Sequence, residues 1–424
     1  MVRKMKDSGI EWIGEIPEDW KISKIKYVSN LNGRIGFRGY KESDLVDEDE
    51  GAITLGPPNM DDGKLNLSNC KYLSWDKYFE SPEIQLSIGD ILLVKTASVG
   101  KVAYVDNIKK EMTINPQLLI LKSKNIKNRF LFYVVLSDFF QNQIKMSVTG
   151  GTVPTLSQEK IGNFSITEPS LSSQKLIAKK LDLKCSKLEE VSNIIKKQIQ
   201  TLEDYKKSVI TEAVTKGLDK NVEMKDSGIE WIGEIPKHWS VSRIKYLTTS
   251  RSEKGNLSDT NKYIGLENVE SKTGKYIKTD TDYIDAVYDQ CKKGDLLYGK
   301  LRPNLNKVLI SPFDASCTGE FEIIKESTID KKWLYYYFLT PGFTNIVNSS
   351  TFGAKMPRAS WDFIGNIKIA YPNDSEMQEI VSYIEFITSA TDIAICSKQK
   401  QLEVLEEYKK SLIYEYVTGK KEVL

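Results

Sequence analysis

Two stretches of about forty residues constrain this chain more than anything else in it. From Leu171 to Gly217, Leu181, Leu188, Ile195, Leu202 and Val209 recur at seven-residue intervals, with Val191, Ile199 and Tyr205 beside them and Lys, Glu and Gln elsewhere. That spacing predicts a long amphipathic helix that seeks another helix. It opens after Pro169 with Ser172 and Ser173 as N-cap candidates, contains neither Gly nor Pro, and stops at Lys216-Gly217, where glycine can turn left-handed. At 1.5 Å per residue such a rod spans on the order of 60 Å. From Met377 to Thr418 the pattern returns with Ile380, Ile384, Ile387, Ile395, Leu402, Leu405, Tyr408 and Leu412. Residues 202–208, LEDYKKS, reappear at 405–411 as LEEYKKS, so each rod is the natural partner of the other.

The duplication extends to the rest of the chain. Met5 to Pro17 reads MKDSGIEWIGEIP, and Met224 to Pro236 repeats the same thirteen residues. Trp20, Ser23, Ile25, Lys26 and Tyr27 return as Trp239, Ser242, Ile244, Lys245 and Tyr246, which marks an internal repeat rather than chance. After each arm come strand-like pieces: Gly51–Leu55, a Gly89-Asp90 turn into Ile91-Leu92-Leu93-Val94, and Leu118–Lys122. The second half answers with Gly294-Asp295-Leu296-Leu297, Lys307–Ile310 and Phe321–Lys325. An aromatic helix is predicted over Phe130–Ile144 and again over Trp333–Val347, its rings read as core. Loops at 147–155 and 350–358 lead into Ile161-Gly162-Asn163 and Ile364-Gly365-Asn366.

The expected organisation is mixed α/β, with two pseudo-symmetric globular domains separated by two long antiparallel helices that form a coiled-coil spacer. Its divisions are 1–170, 171–217, 218–374 and 375–424. Leu181, Leu188, Ile195, Leu202, Tyr205, Val209, Ile384, Leu405, Tyr408 and Leu412 are assigned to helix pairing and subunit docking.

Composition excludes more than it assigns. His238 is the only histidine, which removes Ser-His-Asp and Cys-His catalysis and zinc sites built on paired histidines. No phosphate-binding loop of the Gly-x-x-x-x-Gly-Lys type and no Gly-x-Gly-x-x-Gly turn is present. The five cysteines are scattered without metal-ligand spacing, so reduced thiols are expected and no metal site. No apolar run approaches a membrane span and no leader follows Met1, which points to a cytoplasmic protein. Net charge is only +2, so a nucleic-acid surface would have to be local.

Such patches occur in matching places. In the first half they comprise Arg34 and Arg38, then Lys95, Thr96, Ser98 and Lys101, then Thr149, Gly150, Gly151 and Thr152. In the second half they comprise Lys300, Arg302, Asn304, Asn306 and Lys307, then Ser350, Thr351, Lys355 and Arg358. Arginine grips guanine and Asn adenine bidentately, while lysine, hydroxyls and glycine-exposed amides suit phosphate. Two diverged modules at a fixed separation suit an asymmetric, interrupted site on duplex DNA.

On the repeated arm, the two Gly-Asp turns, the Thr-Gly-Gly-Thr-Val-Pro loop before Ile161-Gly162-Asn163 and the doubled rods, nearly the whole chain resembles the specificity subunit of type I restriction-modification enzymes. The resemblance implies two target recognition domains, each reading one part of a bipartite DNA sequence. It also implies that the helices set the gap and dock two methyltransferase subunits, with restriction subunits outside. S-adenosylmethionine, ATP and magnesium would belong to those partners, leaving this chain without a catalytic residue. Two rival readings are a fused DNA methyltransferase or endonuclease, and a coiled-coil scaffold without nucleic-acid binding. The first has only Gly56-Pro57-Pro58-Asn59 and Asp62-Gly63-Lys64 behind it, both better read as turns; the second leaves the basic loops without a reason.

Overall fold

The computed structural model describes residues 3–422 except 35, 150, 152, 258–261, 280–285 and 354–355. They form two compact units, residues 1–195 with 400–424, and residues 196–399. The long helices are therefore not separate from the globules; each unit includes the start of one helix and the end of the other. The central helix runs Leu171–Lys216 and the C-terminal helix Asp374–Val417. Gly217 and Gly419 end them with φ of 75°, the left-handed conformation the sequence predicted at the first.

The starts of the helices correct the sequence reading. Ser170, not Ser172 or Ser173, caps the central helix, its Oγ accepting from the Ser173 amide at 3.2 Å. The C-terminal helix begins three residues before Met377, where Asn373 Oδ1 accepts from the Glu376 amide at 3.0 Å. This helix contains an 18-residue window of mean hydropathy 1.3, so by length and composition it is apolar enough to cross a membrane, contrary to expectation. It also carries Glu385 and Asp392, which pair with Lys332 and with Lys206 and Lys275.

In the first unit, Ile177, Ala178, Leu181 and Cys185 of the central helix bury against Leu412, Ile413, Tyr416 and Val417 and the globule. In the second, Ile210, Ala213 and Val214 meet Met377, Ile380, Val381 and Ile384. The pairing is antiparallel in both: Lys409 contacts Glu189 while Val417 accepts a hydrogen bond from Thr167, and Lys206 pairs with Asp392 while Lys398 reaches back to Gln198. Ile195 is buried and Leu188, Leu202, Val209 and Leu405 are half-buried. Tyr205 and Tyr408, assigned to the same stripe, are each 48% exposed. A straight helix drifts against a seven-residue repeat, so the rings sit at the edge of the stripe and their neighbours Lys206 and Lys409 turn inward instead.

Each globule has two four-stranded sheets. In the first unit the first sheet orders Val102–Tyr104, Ile91–Val94, Leu118–Ser123 and Ser29–Asn32, all antiparallel. The second unit repeats that order with Val308–Ile310, Leu296–Gly299, Phe321–Ser327 and Thr248–Ser250. Strand period 2 places Ile91 and Leu93 in the core shared with the helices, and Leu92 and Val94 in the core between the sheets. The Gly-Asp turns enter these sheets. Gly89 and Gly294 have φ of 97° and 86°, and the aspartates hold the turn, Asp90 accepting from Ser87 at 2.8 Å and Asp295 from Lys292 at 2.9 Å.

The second sheets differ. Both contain one parallel pair, Met112–Ile114 with Gly51–Leu55 and Tyr263–Ile264 with Ala315–Cys317. The next strand pairs with Gly51–Leu55 in the first unit, but with Ala315–Cys317 in the second. Gly51 makes the first arrangement possible, since a side chain there would run into the Leu73 carbonyl.

The predicted aromatic helices are each two. Asn128–Leu136 and Asp138–Ser147 break at Ser137, and Lys331–Phe338 and Pro341–Ser349 break at Thr340, whose hydroxyl accepts from Phe343 N as an N-cap before a first-turn proline. The arms are short hairpins, Met5–Asp7 with Glu15–Pro17 and Met224–Asp226 with Glu234–Pro236, that press Trp20 and Trp239 into the cores.

Candidate nucleic-acid interface

In the first unit the chain leaves the strand Ile91–Val94 at Lys95, turns through Ala97 (φ 66°) and Gly100 (φ 97°), and returns at Val102. A second loop, 148–157, connects Asp138–Ser147 to the short helix Gln158–Gly162. Backbone hydrogen bonds knit the loops together: Ala97 N to Pro154 O at 2.9 Å, Leu156 N to Lys95 O at 2.8 Å, and Thr149 with Thr155 in both directions at 3.0 and 2.8 Å. Lys95, Thr96, Ser98 and Thr149 thus lie on two loops tied together, with Lys101 exposed on the return of the turn and Gly151 exposed in the second loop. Lys95 is half-buried without an acidic partner among the described residues, and desolvation lowers its pKa from the ordinary lysine value. A cation held this way is short of a counter-charge.

The second unit makes the same lattice from other side chains. Arg302 N bonds Pro357 O at 2.7 Å, Ala359 N bonds Lys300 O at 3.0 Å, and Phe352 and Arg358 exchange bonds at 3.2 and 3.1 Å. Arg302 stands where Ala97 stands and shares its left-handed backbone, φ 49°. A left-handed residue other than glycine costs roughly 1–2 kcal/mol, so the surrounding bonds hold both positions in place. The Arg302 and Asn304 side chains are exposed and make no hydrogen bond or ion pair among the described residues. Lys300 pairs with Glu322 at 3.2 Å, and Arg358, half-exposed, pairs with Glu320.

Several expected contacts are placed elsewhere. Arg34 is 5% exposed, donating to Ile114 O at 3.1 Å, Thr113 Oγ1 at 3.3 Å and Arg38 O at 3.4 Å, which makes it a strut of its loop. Arg38 pairs with Glu83 at 3.4 Å. Asn306 is buried, donating to Thr344 Oγ1 at 2.7 Å, and Lys307 Nζ caps the Leu266 carbonyl at 2.6 Å. The hydroxyls of Ser350 and Thr351 donate to Val347 O and Asn348 O at the end of the preceding helix. Gly150, Thr152 and Lys355 lie outside the described residues. Sequence reasoning missed the exposed apolar tips Val153, Phe352 and Met356, and it missed the acids that neutralise Lys300 and Arg358. A phenylalanine beside Gly353, outside any periodic segment, was the available signal for one of the tips.

Residues 17–204 match the family model described as the type I restriction modification DNA specificity domain. The chain is thus similar, over nearly its whole length, to type I restriction-modification specificity subunits. The MjaVIII specificity subunit of Methanocaldococcus jannaschii is 26% identical, over 96% of this chain and 93% of that one. The EcoDI specificity subunit of Escherichia coli is 26% identical over 63% of this chain and 64% of its own length. A chain solved in work on complex assembly and conformational transition of the type I R-M system superposes with a TM-score of 0.68 at 15% identity. That superposition covers 96% of this chain and 99% of the other, and it shows a shared fold.

Proposed function

We propose that each unit reads one part of a two-part duplex DNA target through its knitted loops, and that the paired helices set the gap and dock two methyltransferase subunits. The observation that carries this reading is the repeated lattice: the same backbone bonds join the same two loops in both units, while Ala97 and Thr155 become Arg302 and Arg358. A common frame with exchanged side chains is what two readers of different sequences require. Leu183 and Phe386, on corresponding turns of the two helices, are exposed along with Tyr205 and Tyr408 and offer apolar surface for docking. S-adenosylmethionine, ATP and magnesium are then assigned to partner chains in the cytoplasm, restriction subunits among them, and this chain carries recognition rather than catalysis.

The test is selection of bound duplexes from a random library by the full chain, wild-type and with Arg302→Ala or Arg358→Ala. Wild-type should return a two-part motif, and each variant should relax one part only, by about 1–3 kcal/mol of base discrimination per lost bidentate contact. Loss of both parts together would overturn independent reading.

A further inference from the structure

The recognition loops do not use one duplicated surface next to them. Lys26-Tyr27 and Lys245-Tyr246 sit on single-turn helices, Ile25–Val28 and Ile244–Leu247, anchored by the buried Ile25 and Ile244. Both tyrosines point outward, 63% and 67% exposed, each with its neighbouring lysine 5.3 Å from the ring centre. The segments Ser23-Lys24-Ile25-Lys26-Tyr27 and Ser242-Arg243-Ile244-Lys245-Tyr246 differ only by an exchange of one basic residue for another.

The Ile-Gly-Asn repeats hold this surface against the recognition loops. A Cβ on Gly162 would lie 3.2 Å from Leu31 Cδ1 and 3.5 Å from Lys26 Cβ, and one on Gly365 would lie 3.2 Å from Lys245 Cβ, so both short helices pack against the lysine stems. The asparagines then fix a cation: Lys26 Nζ donates to Asn163 Oδ1 at 2.7 Å and Arg243 to Asn366 Oδ1 at 3.3 Å. Asn163 caps the end of the short helix Gln158–Gly162, which begins two residues after Leu156 of the knitted loop, and Asn366 ends Trp361–Asn366, which begins two residues after Ala359. Five or six helical residues span about 8 Å. The cations therefore stand about one such helix length from the loops, within the roughly 12 Å width of a major groove.

Lys24, Lys26, Arg243, Lys245 and Lys368 form no ion pair among the described residues. Arg243 and Lys368 lie directly opposite each other across two antiparallel strands. Like charges so placed repel unless an anion lies between or beside them.

We propose that these two surfaces are the phosphate-backbone contacts of the two units, sequence-independent anchors on duplex DNA that flank the groove entered by the loops. The proposal rests on the reading of the loops as DNA readers, and it explains why this surface kept its chemistry while the loops diverged: phosphates are alike at both parts of a target and bases are not.

The experiment measures binding of the full chain to a duplex carrying its selected motif, from about 50 to 200 mM salt, for wild-type, Lys26→Gln/Lys245→Gln and Lys26→Arg/Lys245→Arg. Counterion release gives a slope of about 0.9 per phosphate and roughly an eightfold affinity loss per contact near 0.1 M salt. The glutamine pair should lower the slope by about 1.8 and the affinity roughly sixtyfold, with the selected motif unchanged and the thermal melt intact. The arginine pair should keep the wild-type slope. A folded glutamine variant with unchanged slope overturns the proposal alone, and if it then fails to capture methyltransferase subunits the surface is a protein dock instead. A wild-type chain that selects no motif overturns the reading of the loops as well.

Discussion

Gly419→Ala and Gly217→Ala change the glycines that end the two long helices, yet the structure sets their costs apart. Both glycines have φ of 75° at the end of a long helix, so alanine at either site incurs the left-handed penalty of about 1–2 kcal/mol. At Gly217 the new Cβ would lie 3.1 Å from Glu376 Oε1 and 3.4 Å from Trp239, neighbours that need give only a few tenths of an ångström. At Gly419 it would lie 2.5 Å from both Cγ and Cδ of Pro17 and 3.1 Å from Trp20, two buried and rigid rings. Overpacking of that kind adds about 1–3 kcal/mol. The sums are about 2–5 kcal/mol for Gly419→Ala and 1–2 kcal/mol for Gly217→Ala. For units of some 200 residues each kilocalorie moves the melting point about 2–4 °C, so the first unit should lose at least about 4 °C in the Gly419 variant. Scanning calorimetry of the full chain, with hydrogen exchange to assign each transition to its unit, makes the comparison. Equal shifts, or no shift for Gly419→Ala, would refute the idea that the first arm clamps the end of the C-terminal helix.

Two further tests address the helices and the acids. Leu181→Ala removes a fully buried side chain and should cost about 2–5 kcal/mol in urea unfolding, whereas Tyr205→Ala should stay within about 0.5 kcal/mol while weakening capture of methyltransferase subunits. Glu320→Gln should release Arg358 and raise affinity for unrelated duplexes several-fold, with a salt slope steeper by about 0.9; an unchanged slope would mean that Arg358 faces away from DNA.

The parts of the fold that depend on period and repetition were legible in the sequence. The rods, the Gly-Asp turns, the strands Gly51–Leu55 and Leu118–Ser123 and the two-unit plan all rest on local spacing or on one half echoing the other. Local capping chemistry was readable but misassigned: Ser137-Asp138 and Thr340-Pro341 are ordinary helix starts, overlooked because the aromatic rings on either side formed one continuous apolar signal. The candidate interface was legible as a place and not as a set of contacts. Which cations stay free depends on residues far away in sequence, as Glu83 beside Arg38 and Ile114 beside Arg34 demonstrate. Single-sequence spacing carries no information about such partners. The same limit hid the second sheet's strand exchange, where a glycine's clearance decides which neighbour a strand accepts.

The position shared by Ala97 and Arg302 puts the common frame to its most direct test. Both residues are exposed, left-handed and tied by their amide to a proline carbonyl, at 2.9 and 2.7 Å. Alanine already carries the Cβ that makes this backbone costly, so Ala97→Arg adds no new backbone strain and only a solvated side chain. Its stability change should fall within about 0.5 kcal/mol. The second unit's loop is one residue longer between this position and the closing bond, Lys307 O to Gly299 N in place of Lys101 O to Val94 N, so the new guanidinium need not reach the same base as Arg302. A shared frame requires only that the first part of the selected motif change, with a gain of guanine, and that the second part stay as it is. Selection with the variant reads this directly. If the first part stays the same while the chain remains folded, the left-handed position does not face the bases, and the lattice serves only to brace the loops.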